Sequence, residues 1–113
     1  MKIEYYSFGN IIIDGKTYTS DVVIYPDRVD AAWWREEGHR LQIKDLTSLL
    51  NAKPHLLIIG TGYAGVMSVP EAVKGFIRSK GIEVIVEKTG KAVELYNAAP
   101  AGKTVIAAFH ITC

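Results

Sequence analysis

After Pro54 the sequence alternates between apolar runs of strand length and segments with the periodicity of a helix. The apolar runs are Leu56–Ile59, Ile82–Val86 and Val105–Phe109. The first run is continuously apolar, which is typical of a strand covered on both faces. Parallel strands joined by helices need right-handed crossovers, and these crossovers place the helices over the sheet. The second half of the chain therefore predicts a β-α-β-α-β unit.

Two helices are predicted between these strands. In the first, apolar residues fall on one helical face, at Val69, Ala72, Val73, Phe76 and Ile77. Ser68 and Glu71 have the spacing of a capping box, so this helix is expected to begin at Ser68. Gly81 is placed to end it in the left-handed conformation. Thr89 is expected to cap the second helix, which ends before Pro100.

The first half of the chain indicates short strands and turns. Asp14-Gly15 lies between two β-rich runs and predicts a hairpin, because both residues tolerate a positive φ. Val22–Tyr25 predicts another strand, with weaker candidates at Arg28–Trp34 and His39–Gln42. Asp45 is expected to cap a short helix. The whole pattern predicts one three-layered α/β domain over residues 1–113, with the N-terminal β-hairpins extending or covering the C-terminal unit.

The composition excludes some classes of function. A net charge of +1 with scattered basic residues gives no electrostatic basis for binding nucleic acid or an anionic membrane. No apolar stretch approaches the ~20 residues of a membrane-spanning helix. The N-terminus lacks the pattern of a signal peptide, so a cytoplasmic location is expected. Cys113 is the only cysteine, which leaves no internal disulfide and no defined role for the thiol.

The sequence carries no recognisable catalytic or metal-binding constellation. His39, His55 and His110 are far apart and lack the spacing of metal ligands. No serine lies in a nucleophile-elbow motif. This pattern favours a non-enzymatic protein without a metal or other cofactor.

The loop after the first parallel strand is the best candidate for binding a ligand. Gly60 to Gly65 match the G-x-G-x-x-G pattern of dinucleotide sites, and Glu87 follows the next strand near the position of a ribose-binding acid. However, the third glycine precedes the expected helix start at Ser68. Three interpretations stay open: a dinucleotide site, a tight turn, and a small-anion site at a helix N-terminus. The candidate ligand-binding residues are Gly60, Thr61, Gly62, Tyr63, Ser68, Thr89 and Asn97.

Trp33, Trp34 and Arg35 form the candidate interface with another protein. Neighbouring strand residues face opposite sides, so one of the two tryptophans is expected to point outward. An exposed tryptophan beside an arginine is typical of interface hot spots. The alternative is that both tryptophans cover the ends of a small core. Binding of an unidentified protein partner is the favoured function, and a small ligand at the glycine loop is the alternative. Pairing of exposed strand edges is the expected route to a homodimer.

These motifs together resemble one family. In chain order they are Ser7-Phe8-Gly9, Trp34-Arg35-Glu36, Leu57-Ile58-Ile59-Gly60-Thr61-Gly62, Val69-Pro70, Gly81-Ile82-Glu83-Val84, Tyr96-Asn97 and Phe109-His110-Ile111-Thr112-Cys113. Over essentially its whole length the chain is similar to the adipogenesis-associated domain-containing proteins, a family that includes mitochondrial complex I assembly factor 3. The resemblance implies a single α/β domain with a mixed central sheet and no known reaction. It also implies action through protein partners, because eukaryotic relatives are linked to complex assembly and cell differentiation.

Overall fold

The computed structural model of the chain describes residues 1–113. It contains eight strands, three α-helices and a 3₁₀ turn at Ile43–Leu46. The strands are β1 (Ile3–Ser7), β2 (Asn10–Ile13), β3 (Lys16–Tyr18), β4 (Val22–Ile24), β5 (Val29–Asp30), β6 (Leu56–Thr61), β7 (Glu83–Glu87) and β8 (Val105–His110). The helices are α1 (Thr47–Asn51), α2 (Glu71–Ser79) and α3 (Thr89–Asn97). None of the helices is long and apolar enough to cross a membrane.

A mixed five-stranded sheet lies at the centre of the fold, in the order β5-β4-β8-β6-β7. Strand β6 runs parallel to both of its neighbours, β7 and β8. Strand β4 runs antiparallel to β5 and β8. Every residue of β6 is buried, as its continuous apolar run predicts. The β-α-β-α-β unit and the mixed central sheet are therefore confirmed.

The two crossovers explain why the sheet is covered on both faces. The chain steps from β6 to β7 in one direction and returns past β6 to β8 in the other, so right-handed crossovers place α2 and α3 on opposite faces. On the face of α2, Ile77 packs with Leu57 and Ile106 of the sheet. On the face of α3, Ala92 packs with Ile58 and other sheet residues. The three-layered architecture is confirmed.

The N-terminal strands divide between two roles. Strands β1, β2 and β3 form a separate antiparallel sheet, whose Ile11 and Ile13 pack in the same apolar cluster as α3. Asp14 and Gly15 both have positive φ, 48° and 81°, and form the predicted hairpin turn. The β4–β5 hairpin instead extends the central sheet. One hairpin therefore covers the sheet and the other lengthens it.

The predicted capping box at Ser68 is wrong. Helix α2 begins at Glu71, and Pro70 occupies the N-cap position without a side-chain hydrogen bond. The Ser68 N–H donates to the His39 carbonyl at 2.8 Å, and the Ser68 carbonyl accepts from the Leu41 N–H at 2.9 Å. These contacts hold Ser68 in an extended bridge with the preceding loop, so a tertiary contact takes the place of the local cap.

Other predicted boundaries also differ. Thr89 is the first residue of α3 instead of its N-cap, which is Lys88. The strand predicted at Arg28–Trp34 is limited to Val29–Asp30. The candidate at His39–Gln42 forms only isolated bridges at Arg40. Asp45 lies within the 3₁₀ turn that precedes α1 and accepts from the Gln42 N–H at 2.9 Å.

Candidate functional site

The candidate site lies where the parallel strands β6 and β8 end. Thr61 and His110 are partners in the register of these strands. Gly60 and Thr61, predicted as the start of the glycine loop, are the last two residues of β6; the rest of the loop follows β6, and the segment Ile111–Cys113 follows β8. Strand β4 runs in the opposite direction, so Asp21, which precedes it, lies at the same end and accepts from the Ile111 N–H at 2.8 Å.

Two glycines of the loop allow close packing at this end of the sheet. Gly62 has a φ of +110°, and a Cβ there would overlap the main chain of Cys113 and lie 2.9 Å from His110 Cδ2. A Cβ at Gly60 would lie 2.7 Å from Phe109 Cδ1 and 2.8 Å from Thr89 Oγ1. Both positions therefore require glycine for space, and Gly62 requires it for its backbone conformation as well. These contacts support the tight-turn interpretation.

Most amides of the loop already donate within the chain. The Gly62 N–H donates to Thr89 Oγ1 at 2.8 Å. The Tyr63 N–H donates to the Thr112 carbonyl at 2.6 Å, and the Val66 N–H to the Cys113 carbonyl at 2.9 Å. A small-anion site would need these amides as donors, and they already have acceptors within the chain. The small-anion site stays a prediction.

The structure brings together only part of the predicted ligand-binding set. Thr61 Oγ1 donates to the Glu87 carbonyl at 3.2 Å, and Thr89 Oγ1 donates to the His110 carbonyl at 2.6 Å. Tyr63 is 61% exposed and packs edge-on against Phe8. The members of the set that lie together are therefore Gly60, Thr61, Gly62 and Thr89.

Ser68 and Asn97 lie outside this group. Ser68 bridges to the loop before α1, as described above. Asn97 is at the far end of α3, where its side-chain amide bonds both the N–H and the carbonyl of Ile3. Asn97 also lines a surface cavity of about 500 Å³, whereas none of the four cavities is lined by the glycine loop.

A buried cluster of ionisable side chains, Asp21, Arg35 and His110, lies beside the glycine loop. Asp21 Oδ2 is 2.8 Å from both Arg35 Nη2 and His110 Nδ1. Arg35 Nη2 also donates to the Gly38 carbonyl at 3.0 Å. The Arg35 and His110 side chains are almost wholly buried, and that of Asp21 is largely so. Sequence reasoning missed this cluster, because its members come from three separate segments and no spacing in the sequence indicates that they meet.

Hydrogen bonding determines the state of the Asp21 carboxyl. Burial acts to raise its pKa, but hydrogen bonds from His110, the Ile111 N–H and Arg35 outweigh burial and lower the pKa below its ordinary value. The His110 Nδ1–H donates to Asp21 when the carboxylate is ionised, which leaves His110 Nε2 facing away from the pair. Asp21 therefore acts as an ionised acceptor that ties Arg35 and His110 together.

Three buried polar atoms around the cluster have no hydrogen-bond partner: Trp33 Nε1, Arg35 Nη1 and His110 Nε2. The Arg35 guanidinium lies over the Trp33 ring at 4.5 Å, a cation–π contact that partly compensates the lost hydration. No cavity is lined by Asp21, Arg35 or His110. No three His, Cys, Asp or Glu side chains are placed to hold a metal ion. The arrangement is thus suited to fixing the backbone of the loop that carries Arg35.

Comparison with known proteins assigns the chain to a family. The sequence pattern of a family described as "Protein of unknown function (DUF498/DUF598)" matches residues 3–110. The chain belongs to the DUF498/DUF598 family. It is similar to a conserved hypothetical protein, PH1505, from Pyrococcus horikoshii OT3, with 31% identity, full coverage of both chains and a TM-score of 0.85.

Two other solved structures are similar to this DUF498/DUF598 chain. The protein MT938 is 30% identical, with 99% of this chain and 98% of that chain covered and a TM-score of 0.81. A Mth938-like domain from Bordetella pertussis is 20% identical, with 97% of this chain and 85% of that chain covered and a TM-score of 0.65. The likeness to the Bordetella pertussis domain supports the fold alone.

In this DUF498/DUF598 chain the three predicted interface residues differ in their exposure to solvent. Trp34 is 74% exposed, whereas Trp33 and Arg35 are each 8% exposed. One of the two tryptophans is exposed, as expected, but neither lies in a strand, so strand alternation is not the reason. Trp33 and Arg35 of the candidate interface are thus buried, and Arg35 finds its charge partner, Asp21, inside the protein.

Proposed function

We propose that this protein acts by binding a protein partner, with Trp34 as the central contact. The observation that carries the proposal is that Trp34 is 74% exposed while both of its neighbours are buried. A large aromatic side chain that remains in water is unfavourable for a free protein, and tryptophan is the residue most enriched in interface hot spots.

The buried neighbours hold the backbone of Trp34 in place. The Trp33 N–H donates to the Asp21 carbonyl at 3.1 Å, and the Trp33 ring enters the apolar core. Arg35 is fixed by Asp21 and by the Gly38 carbonyl. A contact residue presented on a fixed backbone loses little conformational entropy on binding, which favours affinity.

The closer resemblance noted in the sequence supports the same proposal. Within the DUF498/DUF598 family, we infer that this chain is related to the adipogenesis-associated domain-containing proteins and to mitochondrial complex I assembly factor 3. Those relatives are linked to processes that depend on protein partners. A cytoplasmic site of action is part of this proposal.

The small-ligand alternative has less support. The loop Gly60–Gly65 lines no cavity, and the amides of Gly62, Tyr63 and Val66 donate to acceptors of the chain itself. The Lys88 side chain, which passes along Gly65, adds a positive charge beside the loop.

The proposal is tested by affinity purification with three tagged proteins: wild type, Trp34→Ala and Tyr5→Ala. Tyr5 is the matched control, because it is an exposed aromatic residue on β1, away from the Trp34 segment. We expect wild type and Tyr5→Ala to retain the same partner, and Trp34→Ala to retain about tenfold less of it. Equal retention by all three proteins, or no specific protein retained, would refute the role of Trp34.

A further inference from the structure

Strand β7 is an open edge of the central sheet. It is bonded only to β6, and no strand lies on its other side. The Glu83 N–H donates to the His55 carbonyl next to β6, at 3.0 Å. Because alternate residues of a strand direct their main-chain groups to opposite sides, those of Glu83, Ile85 and Glu87 face β6. The N–H and carbonyl groups of Val84 and Val86 therefore face outward.

This edge lacks two of the common devices that prevent strand pairing, a proline and a β-bulge. Its five residues include no proline, and the register with β6 is regular throughout, without a bulge. The side chains of Val84 and Val86 pack on the α2 side of the sheet and that of Ile85 on the α3 side, so none of them blocks the edge. The only charged side chains of the strand are those of Glu83 and Glu87, at its two ends.

These two carboxylates determine what can pair with the edge. A second copy in antiparallel register about Ile85 would place Glu83 opposite Glu87 at both ends, and directly opposed like charges destabilise a strand pair. A segment with a basic residue at each end would meet a carboxylate at each end instead. Glu83 pairs only loosely with Lys103, at 3.8 Å, and Glu87 forms no ion pair.

We propose that the β7 edge binds an extended segment of a partner protein, in which β-branched or apolar residues are flanked by lysine or arginine. The segment adds a sixth strand to the sheet through four main-chain hydrogen bonds, two at Val84 and two at Val86. The flanking basic residues contact Glu83 and Glu87. This surface is separate from Trp34, and the inference does not depend on the function proposed above.

A synthetic peptide tests the proposal directly. The probe is acetyl-Lys-Thr-Val-Thr-Lys-amide, and the control is the same peptide with glutamate in place of both lysines. At about 1 mM peptide we expect the lysine form to shift the Val84 and Val86 amide resonances and to slow their hydrogen exchange. The glutamate form is expected to bind about tenfold more weakly. Absence of any change at these two amides with the lysine peptide would overturn the proposal.

Three variants test whether the peptide binds specifically at the β7 edge. Glu87→Lys should weaken lysine-peptide binding about tenfold. Glu94→Lys makes the same charge change on the exposed face of α3 and should leave binding unchanged. Val86→Pro removes an outward N–H while the bonds to β6 remain, which is tolerated on an edge strand, and should abolish binding. Equal weakening by Glu87→Lys and Glu94→Lys would refute a specific site.

Two further measurements distinguish this proposal from the Trp34 proposal and from pairing of two copies at the β7 edge. Trp34→Ala is expected to bind the lysine peptide as wild type does, so failure of the Trp34 proposal would leave this result intact. Sedimentation equilibrium of the free protein is expected to show a monomer. A dimer that Val86→Pro dissociates would show that a second copy occupies the edge, and would overturn the proposal.

Discussion

Asp21 and His110 are 89 residues apart in the sequence, and their side chains meet with Asp21 Oδ2 2.8 Å from His110 Nδ1. Arg35 bonds to the same carboxylate oxygen, so one oxygen joins the start of β4, the end of β8 and the loop that carries Trp34. Protonation of this carboxyl would weaken the bonds that it accepts from Arg35 and His110. The cluster therefore links the exposed tryptophan to the central sheet.

The first prediction concerns pH. The pKa of Asp21 is lower in the folded protein than its ordinary value, because the bonds from His110, Ile111 and Arg35 outweigh burial, which acts to raise it. The stability that Asp21 contributes is therefore complete above its unfolded-state pKa and is lost as the pH falls through the folded-state pKa. We expect the free energy of unfolding, measured with urea, to fall from about pH 5 downward. Asp21→Asn should be less stable at pH 7 and show a smaller fall; equal slopes for both proteins would contradict the prediction.

A second prediction compares a buried ion pair with an exposed one. Arg35→Met leaves the Asp21 carboxylate without its guanidinium partner in a largely buried setting. We expect it to lower the free energy of unfolding by about 3 kcal/mol. Arg28→Met is the control, because Arg28 pairs with Asp27 at 3.0 Å on the surface, and it should cost less than about 1 kcal/mol. Urea unfolding at pH 7 measures both free energies, and equal losses would show that the buried pair stabilises the fold no more than the exposed pair does.

The core strand β6 and the hairpin between β2 and β3 could be predicted from sequence because their signals are local. The continuous apolar run of β6 and the Asp14-Gly15 turn each depend on neighbouring residues, and both are confirmed. The cap at Ser68 failed for the opposite reason, since the His39 carbonyl, 29 residues away, bonds Ser68 in place of the helix. The Asp21–Arg35–His110 cluster could not be predicted, because no periodicity or spacing reports contacts between residues so far apart. The sequence likewise predicted that one of the two tryptophans points outward but not which one, because the contacts that bury Trp33 and Arg35 come from distant residues.

A third prediction uses two glycines as a matched pair. Gly62→Ala places a Cβ onto the main chain of Cys113 at a φ of +110°, so it should lower the free energy of unfolding by at least about 2 kcal/mol. Gly75 lies within α2, and a Cβ added there would meet nothing within 4 Å. Gly75→Ala should therefore raise stability by about 0.5–1 kcal/mol, because alanine favours the helix. Thermal or urea unfolding measures the stability of both variants. An unchanged free energy of unfolding for Gly62→Ala would mean that the segment after β8 is not packed on the loop.

A fourth prediction separates the two tryptophans by stability. Trp33 belongs to the apolar core on the α2 face, so Trp33→Ala should cost about 3–5 kcal/mol. Trp34→Ala removes a mostly exposed side chain and should change the free energy of unfolding by less than about 0.5 kcal/mol. Urea unfolding of both variants measures these values. A large loss in Trp34→Ala would show that the residue packs against the protein instead of remaining free to contact a partner.

The last prediction concerns the glycine loop as an anion site. A ligand that binds only the folded state raises the unfolding midpoint by mass action, in proportion to the logarithm of its concentration once it exceeds the dissociation constant. The amides of Gly62, Tyr63 and Val66 already have acceptors within the chain. An anion would have to displace the segment Thr112–Cys113 to reach two of them. We therefore expect inorganic phosphate at about 10 mM to leave the midpoint of the wild type unchanged relative to chloride at equal ionic strength. A rise that Lys88→Gln removes would instead show that the loop opens and binds an anion beside Lys88, which would favour the small-ligand function over the partner-binding one.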